Sequence, residues 1–160
     1  GSEMCIRDRE YSGNISYTSI HDIKELNAQV IAKATLIDEN ILPIGSGIWG
    51  GVNDVISVDS NNNILLAHRA WLVEKNERTR HYESVLYKHN IREKIITELG
   101  VLATANMFPP GTIKANKTVD LSDVVFPGGG YNGKLDYVTF GVRDGSIGIS
   151  GIQKLVHNIQ

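Results

Sequence analysis

Thiol groups are almost missing from this 160-residue sequence, which contains one cysteine, Cys5. A single cysteine excludes an intramolecular disulfide and a zinc site built from several thiolates. Proline is also sparse, with four residues, and aromatic residues make up 7% of the chain. Hydrophobic residues nevertheless reach 41%, which is ordinary for a folded protein and unlike a disordered tail. We therefore expect a packed globular structure that needs neither a disulfide nor a cofactor to fold.

Long apolar runs and a strong net charge are absent as well. No apolar run approaches the ~20 residues of a membrane-spanning helix, so we expect no membrane contact. The net charge of −2 excludes a protein that attracts polyanions over its whole surface. A nucleic acid or a phosphate-bearing ligand would therefore have to bind a local basic patch.

The first nine residues differ in character from the rest. Residues 1–9, which include Cys5, resemble translated sequencing-adapter read-through. The resemblance implies that the natural N-terminus lies upstream and that residues 10–160 form one globular domain without a thiol. A cytoplasmic location is the default expectation.

Positive charge collects in one window, residues 68–94. This window holds seven of the sixteen Lys and Arg residues, three of the five His residues and four glutamates, which gives it a charge of +3. The remaining residues carry nine basic and fourteen acidic side chains, a charge of −5. The asymmetry indicates an anionic partner.

The second half of the window has a helical pattern. Apolar residues recur every four positions at Tyr87, Ile91, Ile95 and Leu99. Gly100 is typical of the residue that ends a helix. The pattern predicts a central amphipathic helix, or a pair of helices, over residues 79–99. A second, short helix is predicted near residues 20–29, after Ser19.

Strand patterns surround these helices. Two β-branched and aliphatic runs, residues 52–58 and 64–73, flank the polar turn 59–63 and predict a hairpin. Further strands are predicted at residues 119–126, 137–142 and 147–149, with a hairpin turn at residues 143–145. Together these elements predict an α+β fold in which a mainly antiparallel sheet packs against the central helix.

The candidate ligand-binding residues are the cations of the window. On a helix, His81, Lys88 and Arg92 would share one face and could converge on one anion. Guanidinium groups bind phosphate oxygens through paired hydrogen bonds, which makes the neighbouring arginines candidates too. The full predicted set is Arg69, Arg78, Arg80, His81, Lys88 and Arg92. His81 and His89 are too far apart in sequence for a paired helical metal site, so we expect no metal. The first hypothesis is a module that binds a nucleic acid or another phosphate-bearing ligand.

An enzyme is the second hypothesis. Residues 63–69 followed by residues 92–101 resemble Nudix hydrolases, in which a strand leads into a helix whose glutamates bind a divalent cation. The resemblance implies hydrolysis of nucleoside diphosphate derivatives. Thr97 stands where that family has a second glutamate beside Glu98, which lowers the charge available to Mg²⁺. Other phosphate-ester chemistry could use Arg69 and Arg92 as clamps, with His81 or Glu98 as acid or base. A third hypothesis is an oligomeric structural or assembly subunit, for example one from a virus.

Overall fold

A computed structural model describes residues 2–3, 16–17, 19–33, 35–36, 48–72, 79–110, 120–131 and 134–151. These residues are mostly in β-strands, and no helix among them reaches seven residues. The predicted α+β fold with a central amphipathic helix is therefore wrong. The structure is a mixed sheet of seven strands.

Short elements make up the described N-terminal part. Four two-residue strands are β1 (Ser2–Glu3), β2 (Ser16–Tyr17), β3 (Ser19–Ile20) and β4 (Thr35–Leu36), and β1 pairs with β3 and β2 with β4. The helix predicted near residues 20–29 is a 3₁₀ turn, Ile23–Glu25, followed by α1, Ala28–Ala32. Asp22 and Asn27 each accept backbone N–H groups as N-caps, so the chain starts two short turns instead of one longer helix.

Seven longer strands form the main sheet. They are β5 (Ile48–Ser57), β6 (Asn62–Leu72), β7 (Thr79–Asn90), β8 (Ile95–Ala103), β9 (Asp120–Tyr131), β10 (Lys134–Val142) and β11 (Ser146–Gly151). The order is β11-β10-β9-β7-β6-β5, with β8 also paired with β7. A 3₁₀ turn at Ala105–Met107 follows β8. All pairings are antiparallel except the one between β7 and β9.

Two predicted hairpins are confirmed. β5 and β6 pair antiparallel around the polar turn, where Asp59 Oδ1 accepts the backbone N–H groups of Asn61 at 2.7 Å and Asn62 at 2.9 Å. These hydrogen bonds favour the carboxylate and lower the pKa of Asp59. β10 and β11 pair around the second turn, where Arg143 and Asp144 have φ values of 52° and 53°.

The predicted helix at residues 79–99 is instead a hairpin of β7 and β8. Five consecutive residues of β7, Glu83 to Tyr87, are buried, because this strand lies inside the sheet and is covered on both faces. Such a strand lacks the alternation that identifies a half-buried strand. Asn90 Oδ1 accepts the Glu93 N–H at 3.0 Å, but this bond closes the turn between the strands instead of capping a helix. Lys94 completes that turn with a φ of 57°.

β7 is the strand that joins the two halves of the sheet. On one side it pairs with β6, from the Arg80–Leu72 pair to the Asn90–Asn62 pair. On its other side, residues 79–82 pair with β9 and residues 84–90 pair with β8. One strand therefore receives hydrogen bonds from three others.

Apolar clusters cover both faces of the sheet. Adjacent residues such as Leu65 and Leu66 point to opposite faces, and each belongs to a different cluster. The larger cluster joins Leu66 and Leu86 to the side chains of β9 and β10, including Phe140. Each fully buried side chain of this kind stabilises the fold by roughly 1.5–3 kcal/mol. No helix in the described ranges is long and apolar enough to cross a membrane.

Candidate functional site

Five ionisable side chains form a continuous row across one face of the sheet, near the end where β7 begins. This charged row consists of Glu98, Arg69, Glu83, His81 and Asp123. Register explains the arrangement, because Arg69 is paired with Glu83 and His81 is paired with Asp123. Paired residues on neighbouring strands point to the same face, so four strands contribute to one row.

Arg69 lies between two carboxylates of the charged row. Its Nε donates a hydrogen bond to Glu83, and its Nη1 lies 3.2 Å from each carboxylate oxygen of Glu98. Burial acts to lower the pKa of Arg69, but the hydrogen bond and charge of Glu83, together with Glu98, raise it above its ordinary value. Both the position and the charge of this guanidinium are therefore fixed by its two partners.

His81 lies between Glu83 and Asp123 in the row. Its Nδ1 hydrogen-bonds Asp123, and its Nε2 lies 3.9 Å from Glu83 Oε2. While Asp123 is ionised its carboxylate can only accept, so Nδ1 is then the donor of this bond. The imidazole thereby orients the carboxylate of Asp123 from one side.

Trp71 supplies an aromatic surface beside the row. It is paired with His81 across β6 and β7, and the two ring centroids lie 4.0 Å apart. Both rings are partly exposed. A partly exposed aromatic ring beside converging polar groups is the usual composition of a small-molecule site.

Exposure differs between the carboxylates and separates their possible roles. The Glu83 side chain is 10% exposed and the Asp123 side chain is 47% exposed. Glu83 can therefore position Arg69, whereas Asp123 can reach a bound molecule. A half-exposed carboxylate oriented by a histidine can act as a general acid or base.

Tyr87 lies on the same face of β7 as His81 and Glu83, and it is paired with Glu98 on β8. Its burial, reinforced by the charge of Glu98, raises the pKa of Tyr87 to about 12. The phenol is therefore neutral at physiological pH. Its hydroxyl is buried and has no hydrogen-bond partner among the described residues.

The structure does not bring the predicted ligand-binding residues together. Arg69 and His81 share the charged row, while Arg80 points to the opposite face of β7. Lys88 lies seven residues beyond His81 on β7, which is about 23 Å at ~3.3 Å per residue. Arg92 lies in the turn that follows β7. Arg78 lies outside the described residues. The basic helix and its shared face are therefore wrong.

The charged row is also not basic. It contains one guanidinium and three carboxylates, and Arg69 already contacts two of them. The segment that resembles the Nudix helix is a turn and β8, so the helix that this resemblance implied is absent from residues 92–101. Within the described ranges, no three His, Cys, Asp or Glu residues are arranged to hold a metal ion.

Sequence reasoning missed Trp71, Glu83 and Asp123 as members of one site. The spacing of His81 and Glu83, two apart, is the signal that would place both on one strand face. Asp123 gives no such signal, because the parallel pairing that brings it to His81 joins residues 42 positions apart.

Comparisons with known proteins begin with one family. The model of the family described as "Protein of unknown function (DUF1861)" matches residues 6–148. No curated protein sequence matches the chain.

Solved structures share the fold. MPT-4, a mannose phosphorylase from Leishmania mexicana in complex with phosphate ion, has a TM-score of 0.72 at 23% identity, covering 98% of this chain and 48% of that chain. MPT-1, a GDP-Man-dependent mannosyltransferase from Leishmania mexicana, has a TM-score of 0.69 at 22% identity, with coverages of 96% and 52%. A hypothetical protein from Leishmania major has a TM-score of 0.66 at 28% identity, with coverages of 91% and 44%. This chain thus spans about half the length of the structures it matches.

Proposed function

This chain belongs to the DUF1861 family, a family of proteins of unknown function, and we propose that its charged row binds a sugar and takes part in glycosyl transfer to or from phosphate. The observation that carries the proposal is the half-exposed Asp123 carboxylate, which is hydrogen-bonded to His81, the residue of the row that stacks beside Trp71.

The charge of the row favours a sugar over a bare anion. Glu98 and Asp123, whose side chains are 38% and 47% exposed, offer acceptors for the hydroxyl groups of a sugar, so the sugar and not the phosphate lies against the row. The face of Trp71 can pack against the C–H groups of a sugar ring. Arg69 acts here as a positioning residue, because its contacts are made with Glu83 and Glu98.

Asp123 is the candidate acid and base. When a glycosidic bond is cleaved by phosphate, a phosphate oxygen bonds to the anomeric carbon and the leaving sugar oxygen takes a proton from the carboxylic acid. In the reverse direction, the acceptor hydroxyl gives its proton to the carboxylate as phosphate leaves. The hydrogen bond from His81 limits the orientations of this carboxyl group, which supports the role of Asp123.

The shared fold supports this choice of chemistry. One protein of this fold is a mannose phosphorylase in complex with phosphate, and another is a GDP-Man-dependent mannosyltransferase. Mannose and a phosphate-bearing compound occur in both descriptions. We therefore choose mannose 1-phosphate and GDP-mannose as the first donors.

The test is an assay of both donors with mannose as acceptor. We expect release of inorganic phosphate from mannose 1-phosphate, or of GDP from GDP-mannose. Asp123→Asn should lower the rate by about 10²–10⁴-fold, the usual effect of removing a general acid. Glu93→Gln, in the exposed turn between β7 and β8, is the matched control and should keep the rate. No release from either donor, or an unchanged rate in Asp123→Asn, would refute the proposal.

A further inference from the structure

The opposite face of the same strand ends carries a second cluster of rings. Trp49 on β5 and Tyr82 on β7 are both paired with Ala70 on the strand between them. Because Ala70 is small, the two large side chains meet above it, and Trp49 Nε1 donates to the Tyr82 hydroxyl at 3.2 Å. His68 stacks on Tyr82 with ring centroids 5.7 Å apart and planes 18° apart.

Arg80 lies at the edge of this ring cluster. Its guanidinium carbon is 6.0 Å from the centre of the Trp49 ring, within the range of a cation–π interaction. Its Nε is buried and has no hydrogen-bond acceptor among the described residues. No carboxylate of the described residues forms an ion pair with Arg80, whereas Arg69 has two such partners.

A partly buried guanidinium without an ion-pair partner among the described residues favours an anion. Removing a charge from water costs free energy unless a partner of opposite sign replaces the solvent. The paired terminal N–H groups of a guanidinium match the spacing of phosphate oxygens. The indole and phenol rings beside it offer a flat surface for the organic group that carries the phosphate.

We propose that Arg80, Trp49 and Tyr82 form a second site, which binds the phosphate group of a phosphate-bearing ligand. The site lies on the face of the sheet opposite the charged row and uses none of its side chains. It is therefore independent of the proposed glycosyl transfer. Arg80 holds the phosphate, and the organic group of the ligand packs on Trp49.

The two tryptophans allow each face to be measured alone, because the chain contains only Trp49 and Trp71. In Trp71→Phe the remaining indole lies beside Arg80. We expect a saturable change in its fluorescence on titration with inorganic phosphate. Mannose 1-phosphate and GDP should compete for the same site, and mannose without phosphate should produce no change. A response to mannose alone, or no saturable response to any phosphate compound, would overturn the proposal.

Charge variants in the Trp71→Phe background test Arg80 itself. Arg80→Gln should weaken phosphate binding at least tenfold, and Arg80→Lys should bind with intermediate affinity because it keeps the charge but loses the paired geometry. Lys33→Gln, an exposed site after α1, is the control for charge removal and should bind normally. Thermal unfolding verifies that each variant is folded. If Arg80→Gln does not fold, the phosphate affinity of Arg80→Lys provides the test. An unchanged affinity in Arg80→Lys would contradict the role of Arg80.

Failure of this site and failure of the charged row have different signatures. Loss of the Trp49 response with donor turnover intact removes only the second site. Loss of turnover with an Arg80-dependent Trp49 response removes only the glycosyl transfer.

Discussion

Arg69 and Glu83 face each other across β6 and β7, and the Nε of the guanidinium donates to the carboxylate of its paired residue. The Glu83 carboxylate is held among buried residues of β7, so it depends on Arg69 for its charge balance. The pair contributes to the fold as well as to the site.

Removing the cation of this pair should destabilise the protein. In Arg69→Met, the Glu83 carboxylate loses its hydrogen-bonded partner in a partly desolvated place, and we expect the free energy of unfolding to fall by about 1–3 kcal/mol. Urea denaturation measures the change. The double variant Arg69→Met with Glu83→Leu should recover part of the loss, because no uncompensated charge remains. Lys94→Gln, in an exposed turn, should change stability by less than about 0.5 kcal/mol; an equal loss there would assign the effect to charge removal in general.

Tyr87→Phe should be nearly neutral at pH 7 and protective at high pH. The hydroxyl has no partner among the described residues, so its removal leaves no broken hydrogen bond there. Because the folded pKa of about 12 lies above the ordinary value of 10, the neutral phenol stabilises the fold below pH 10. This contribution is lost as the pH rises from 10 towards 12.

Absorbance titration and alkaline denaturation measure both effects. The wild-type protein should show one tyrosine that ionises near pH 12, and this transition should be missing in Tyr87→Phe. The wild type should also lose stability more steeply above pH 10 than the variant. Parallel curves above pH 10 would contradict the assignment.

His89 should make the protein sensitive to mild acid. Burial lowers the pKa of His89 below its ordinary value of 6.5, so the folded state keeps the neutral imidazole while the unfolded chain binds a proton. Stability is therefore complete above about pH 6.5 and declines as the pH falls from there to the folded pKa of His89. Denaturation at a series of pH values should show a shallower decline in His89→Gln than in the wild type. The exposed His21 gives the control variant His21→Gln, whose decline should match that of the wild type.

Two adjacent glycines of β5 should respond differently to the same substitution. A Cβ on Gly50 would lie 2.3 Å from the backbone oxygen of His68, whereas a Cβ on Gly51 would lie 3.6 Å from the nearest atom, the His68 Cε1. Gly50→Ala should therefore lower stability by about 1–3 kcal/mol because the β5–β6 pairing must shift. Gly51→Ala makes an ordinary contact and should be neutral or stabilising by up to about 1 kcal/mol. Urea denaturation of the two variants compares them, and equal losses would contradict this packing.

Local signals in the sequence predicted the hairpins but not the centre of the sheet. The turn at Asp59 is closed by its own side chain, so its information lies within four residues. The strand around Tyr87 is buried on both faces, and its apolar spacing then continued by chance through Ile91 and Ile95 with a helical period. Hydrophobic periodicity cannot distinguish a strand that is buried on both faces from a helix, because it identifies only one apolar face at a time.

The site was only partly predictable for a related reason. The charge window contained Arg69, Arg80 and His81, but a helix would have put the wrong members on one face. A strand puts His81 with Glu83 and turns Arg80 away. The contact of His81 with Asp123 depends on a parallel pairing across 42 positions, which no local pattern encodes.

The place of β7 between three partner strands ties the chemistry of the protein to its most persistent hydrogen bonds. His81 and Glu83 on one face and Arg80 and Tyr82 on the other are carried by a strand that cannot separate from its neighbours without opening the whole sheet. Amide hydrogens along β7 should therefore exchange last. Movements that admit or release a ligand must then come from the side chains or from the outer strands. The backbone of β7 stays in place and keeps the residues on both of its faces at fixed positions.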